Sequence, residues 1–300
     1  TLGNRLASVS VLAIVLLVNL RSVSASGLTE DVIVAVKLLV LGGIAAIGLG
    51  EFQVDRLEPL DNAGLAGVLL GAAVIFVAYE GFELLSFDYG EIDRPRVNLP
   101  RALYISVAVV AFTYVVVTIG SQMLVPDRII VEQKEVAFAV AGQQALGTVG
   151  LWAATVAALF STGSAINATL FATARLAYTV AEDGELPAVL AHKNPEDVPD
   201  RAVIGLGTAA AALAALGTLT TLVEAASLAF LFTFTIVSGL AFRQRAGLRV
   251  ITGFGALTGA AASVSLIVRL VRTDPLALIF LMVLALIAMF GRPILLRYFR

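Results

Sequence analysis

The chain has no cysteine, one histidine and one tryptophan, and only 14% of its 300 residues are charged. Without cysteine there is no disulfide, no thiol nucleophile and no thiolate metal site. With a single histidine the sequence offers neither a metal-ligand cluster nor a nucleophile–base constellation, so an enzyme embedded in a membrane is disfavoured and no metal or cofactor is expected. The formal net charge of −2 is spread over loops and forms no basic footprint, so no nucleic-acid partner is expected.

What the chain has instead is length in its apolar runs. Hydrophobic residues make up 59% of it and the mean hydropathy is +0.95. Nine runs approach the roughly 20 residues needed to cross a bilayer: residues 6–23, 32–50, 65–87, 102–125, 149–180, 202–219, 222–242, 250–271 and 276–290. Such runs predict helices, since a barrel would show short alternating strands. The expectation is a single all-α polytopic domain over residues 1–300 with the lipid bilayer as its surroundings. Basic residues set its orientation. Thirteen Lys and Arg fall in alternate loops beginning after the first run, against six on the other side. The richer side is expected to be cytoplasmic, with the C-terminus inside. An odd number of spans starting outside, and Thr1 in place of Met, suggests a chain that has lost its beginning.

Residues 74–101, VIFVAYEGFELLSFDYGEIDRPRVNLPR, organise the rest. The run begins as a membrane helix and is interrupted by Tyr79-Glu80-Gly81-Phe82-Glu83 before it is finished. A charge in the bilayer core costs about 2.5 kcal/mol or more and normally faces a protein interior or a water-filled cavity. Gly81 lets the backbone leave helical geometry and frees carbonyl and amide groups for a ligand. Glu80 and Glu83 are three apart and share a face. Glu83 reads equally as a local cap where the helix restarts. Beyond them, Glu91 and Asp93 mix with Arg94, Arg96 and Arg101 in a loop that is either an interlocked cytoplasmic gate or a solvated turn. Its prolines, Pro95 and Pro100, are expected to hold off helix until Ala102.

Elsewhere the unusual residue is Lys37, inside the second run with apolar neighbours on both sides. Either its stem snorkels to the surface, or it faces the bundle interior, where loss of water favours the neutral amine and allows proton release. Thr29 is a candidate N-cap for that run. Residues 51–62 read as a solvated outer loop, and 126–147 as too polar to span, with an amphipathic piece over 135–144. The fifth run carries Ser161, Thr162, Gly163, Ser164 and Asn167, suited to close packing or to lining a cavity. It reaches Arg175 and stops at Gly184 and Pro187. His192 reads as solvated, Glu224 as an interfacial cap, and the last four runs as scaffold.

Three stretches carry a resemblance. FVAYEGFELLSFDYGEIDRPRVNLPRAL resembles the sixth transmembrane helix and following loop of the amino acid–polyamine–organocation permeases. SAINATLFATARLAYTVAEDGELP is similar to that family's eighth helix, and VNLRSVSASG followed by VAVKLL to its fourth-to-fifth junction. The resemblance implies family helices four to twelve, in an inverted five-plus-five repeat whose first repeat is incomplete and whose second spans 65–242, with two further helices over 250–290. It also implies secondary active transport of an amino acid or related organocation across the plasma membrane. The substrate ammonium would meet carbonyls of Phe76, Ala78 and Tyr79, beside Glu80, Gly81 and Phe82. Lys37 would be the coupling residue, with Ser161, Thr162 or Ser164 as partners and a proton, or alternatively sodium, as the coupling ion. Glu83, Glu91, Arg94 and Arg175 would serve as gate or structural residues. Glu80 departs from the commoner Thr, Ser or Ile, which points to a cationic ligand or to a proton carrier. The alternative is a non-transporting membrane subunit or the relic of a permease.

Overall fold

The structure, a computed structural model, describes residues 27–58, 64–87, 89–90, 92–245 and 247–286. The expected first span, Arg21 and Glu91 lie outside the described residues, as does the end of the ninth span. Every regular element among the described residues is helical. The α-helices among them are α1 (Gly27–Gly50), α2 (Gly64–Val74), α3 (Pro95–Leu124), α4 (Asp127–Gln133), α5 (Ala137–Glu182), α6 (Asp200–Leu216), α7 (Leu219–Arg243), α8 (Arg249–Thr273) and α9 (Pro275–Leu286). Five stretches are long and apolar enough to cross a membrane: Val32–Gly50, Pro95–Leu124, Asp127–Glu182, Leu219–Arg243 and Arg249–Thr273.

The helices sort into two packed groups. In the first, α1, α3 and α5 meet through small residues, which lets backbones approach closely where lipid offers no hydrophobic drive to association. Ile44, Ala45 and Gly48 are buried on one face of α1 while Leu39 is exposed on another. A methyl group added at Gly48 would lie 2.0 Å from the Gly120 carbonyl oxygen of α3. Ala174 of α5 joins Val198, Ala202 and Val203 to seat α6. In the second group, Ala73 of α2, Leu228 and Leu231 of α7, and Ala262, Leu266 and Leu270 of α8 form one apolar cluster, with Leu278 and Leu281 of α9 against it. The segment after α2 joins the two groups. Its first half packs on α7 and its second on α3 and α5.

The structure departs from the expectations at several points. Helix α3 begins at Pro95, seven residues before Ala102, because proline at the first helical position loses no hydrogen bond and presets the backbone. Arg94 caps it from a left-handed conformation, φ 46° and ψ 59°. The polar stretch 126–147 is more helical than the proposed 135–144 piece. It forms α4 and the first part of α5, which then turns sharply at Leu146 and Gly147 (φ 60°) and folds back so that Gly142 and Gly150 touch. The loop after α1 is tied down, since Arg56 Nη1 donates to the Met123 carbonyl at 2.6 Å. His192 Nδ1 lies 2.7 Å from Asp200 Oδ1. Burial raises the Asp200 carboxyl, but the hydrogen bonds from His192 and the Arg201 backbone outweigh it and hold that carboxyl below its ordinary value.

Glu224 is no interfacial cap. It is 2% exposed and accepts from Arg269 Nε at 3.2 Å, with Nη2 of the same guanidinium 3.1 Å away, joining α7 to α8. The cap of α7 is Thr218, whose Oγ1 accepts from the Thr221 amide at 3.2 Å. The Thr221 hydroxyl in turn donates to Asp274 Oδ2 at 2.6 Å, at the far end of α8.

Candidate functional site in the broken helix

The interruption read from the sequence is present and begins earlier than Tyr79. Helix α2 stops at Val74, a short 3-10 turn covers Phe76–Tyr79, and a second covers Phe82–Ser86. Between them Glu80 is extended in ψ (149°) and Gly81 takes φ 116°, a region open to glycine and strained for other residues. The hydrogen-bond ladder tightens accordingly. The Ala78 amide donates to Ile75 O at 2.9 Å and the Glu80 amide to Val77 O at 3.0 Å, where an α-helix would reach one residue further back.

On one side this segment opens into a cavity of about 350 Å³ lined by Ala78, Tyr79, Glu80, Gly81, Phe82 and Leu85, with Ser106, Val107, Val110 and Tyr114 of α3. None of these side chains is basic, so the half-buried Glu80 carboxylate is the charge of the cavity. Tyr114 is the anchor on the α3 side. Its hydroxyl donates to the Ala78 carbonyl at 2.5 Å, and its ring meets Tyr79 edge-on at 5.2 Å between centroids. That carbonyl keeps a second lone pair for a ligand. Glu83 turns back on the break and its Oε2 accepts from the Gly81 amide at 2.9 Å.

Helix α7, read from the sequence as scaffold, contributes directly. The Ser227 hydroxyl, with no exposed surface, donates to Val74 O at 2.7 Å and accepts from the Val77 amide at 3.1 Å. Two turns on, Phe234 stacks on Phe82 at 5.4 Å and meets Phe76 edge-on at 6.0 Å. Ser227, Phe234 and Tyr114 carry no local sequence signal, because each acts through a partner 36 or more residues away.

The remaining residues read from the sequence are not gathered here by direct contacts. Lys37 is half-buried on α1 and has no polar partner among the described residues. The hydrogen bond that the resemblance implies to α5 is not formed, and Thr162 Oγ1 donates instead to Ala158 O at 2.9 Å on its own helix. Ser161 and Ser164 are half-buried on the same helix. Arg94 faces its neighbour Asp93 at 3.9 Å with both side chains more than 80% exposed, a contact worth little. Arg175 stacks over Phe171 at 5.9 Å and lines a separate cavity with Tyr178, Lys193 and Asp197 near the end of α5.

An apolar helix broken at glycine beside a cavity with an acidic side chain, in a chain of long apolar helices, places the protein among helical membrane proteins. Comparison with known proteins makes this specific. The amino acid permease family matches over residues 3–294, and the chain belongs to it. It is 29% identical to the methylthioribose transporter of Bacillus subtilis over 235 residues, covering 77% of this chain and 50% of that protein. It is 31% identical to the mouse large neutral amino acids transporter small subunit 2, covering 63% and 37%. With the vacuolar cationic amino acid transporter 4 of Arabidopsis thaliana the identity is 29%, covering 69% and 34%. The chain spans about half the length, or less, of the curated relatives it matches.

Proposed function

We propose that the protein is a secondary active transporter of amino acids or related organocations, coupled to protons, in the plasma membrane with its C-terminus cytoplasmic. The observation that carries this reading is the break at Glu80-Gly81, which exposes backbone groups and one carboxylate to a cavity inside an apolar chain. Carbonyls of Phe76, Ala78 and Tyr79 would hold the substrate ammonium, and residues 65–242 would form the second structural repeat. Relatives named for neutral amino acids, cationic amino acids and methylthioribose support a small polar organic substrate rather than an inorganic ion.

Glu80 would select for charge. In counter-flow into proteoliposomes with the full natural chain, Glu80→Gln is expected to weaken labelled arginine relative to labelled leucine by about 1–3 kcal/mol, the scale of a lost charge-assisted contact. Equal loss for both substrates would remove the selectivity role.

Lys37 would carry the coupling. Charged, it would tie α1 to the α5 hydroxyls at Ser161–Ser164; neutral, it would let the helices part, so protonation would bias one conformation over the other. Lys37→Ala is expected to leave substrate binding within a few-fold of the parent and to remove the response of uptake to an imposed pH gradient. A gradient response equal to the parent's would overturn this role.

A further inference from the structure

We infer that α7 acts as a splint on the broken helix, with Ser227 and Phe234 as positioning residues that hold its two sides in one geometry. The inference rests on reading the break as the ligand site. It adds that the break is shaped from behind by a helix outside the cavity that holds Glu80.

The backbone groups around the break need partners. In an uninterrupted α-helix the Val74 carbonyl would accept from the Ala78 amide, but that amide has turned to Ile75 O. The Val77 amide sits in the first turn of a new short helix, where amides have no partner within the helix itself. Both groups lie in the apolar run read from the sequence as a membrane span, where an unsatisfied backbone group would have no water to turn to. One hydroxyl serves both, because serine donates once and accepts through its lone pairs. Ser227 Oγ therefore stands in for the helical rung that the break removes, at 2.7 Å to Val74 O and 3.1 Å to Val77 N.

The second point of attachment lies on the same face of α7. Ser227, Leu231 and Phe234 are spaced four and three apart, so they stack along one stripe. Leu231 is buried in the cluster that contains Ala73, and Phe234 reaches past the break. Its ring contacts Phe76 before Gly81 and Phe82 after it, with Phe230 stacked at 6.2 Å behind. Three contacts along α7 thus straddle the flexible point. Gly81 alone would allow many backbone conformations, and the splint selects one of them.

Hydrogen exchange followed by mass spectrometry, on the full natural chain in lipid nanodiscs, tests this without any substrate. In Ser227→Ala, peptides covering residues 74–87 are expected to exchange at least about tenfold faster than in the parent, the loss of one buried hydrogen bond, with the rest of α7 and α8 unchanged. Ser227→Thr, which keeps the hydroxyl, should restore parental exchange, and Phe234→Ala should accelerate the same peptides. Ser263→Ala is the control, since that buried hydroxyl donates within its own helix to Gly259 O at 2.8 Å. Unchanged exchange at 74–87 in a folded Ser227→Ala protein, or acceleration spread evenly over all helices, would overturn the splint. Neither outcome depends on whether the protein transports anything. Failure of the site reading would show separately, as binding of labelled leucine or arginine that ignores Gly81 substitution.

Discussion

Gly81→Leu is expected to abolish binding of substrate while the protein still inserts and elutes as a folded species. The reason is conformation rather than bulk. A Cβ added at Gly81 meets nothing within 4 Å, so the first carbon of a side chain has room. What it cannot do is adopt φ 116° without strain, a cost of about 1–3 kcal/mol for a non-glycine residue held in such a region. The chain escapes that cost by rotating φ to negative values. This swings the Glu80 carbonyl and carboxylate away from the cavity and pulls the Gly81 amide from Glu83 Oε2. Gly81→Ala should therefore behave nearly as badly as leucine, which a purely steric account would not predict. Equilibrium binding of a labelled amino acid to protein in detergent, with size-exclusion profiles alongside, decides the matter. Parental affinity in both variants would dismiss the broken segment as the site.

The second large effect is on stability. Arg269→Met strands a carboxylate that is 2% exposed, and removing one member of a buried pair commonly costs about 3–5 kcal/mol. The loss here should fall near the lower end, about 3 kcal/mol, because the Arg269 side chain is 38% exposed and the pair is open to solvent on that side. The double variant Arg269→Met with Glu224→Gln should recover most of that loss, since no buried charge is then left alone. Unfolding in mixed micelles with increasing SDS measures both. Equal destabilisation in the single and double variants would mean that the pair does not interact as its 3.1 Å separation implies.

The break and the buried pair differ in how far the sequence announces them. The break was legible because its cause is local: a glycine beside an acid rarely falls within an unbroken apolar helix. The stop of α5 near Gly184, whose φ is 76°, was legible for the same reason. The Glu224–Arg269 pair was not, because its partners stand 45 residues apart and a glutamate near a helix start also reads as a surface group. Ser227 was harder still, since a serine in a membrane helix usually bonds within its own helix, as Ser263 does. Only the fold shows that Ser227 faces a gap in a neighbouring backbone. The early start of α3 turned on Arg94 accepting a left-handed conformation, which no propensity for arginine would announce.

The contact between Gly48 and Gly120 bears on how such a protein could move. A Cβ at Gly120 would lie 2.5 Å from the Ala45 carbonyl oxygen and 2.6 Å from its α-carbon, so α1 and α3 touch backbone to backbone. Backbones in contact have no side chains to re-rotamerise, and any slide along this seam would drive a neighbouring Cβ into a peptide group. The two helices are therefore welded at one point and can pivot there but not shear. Lys37 rides on one of them and Tyr114 on the other, so a displacement of α1 along this seam would have to carry α3 with it, and with α3 the hydroxyl that holds the Ala78 carbonyl at the break.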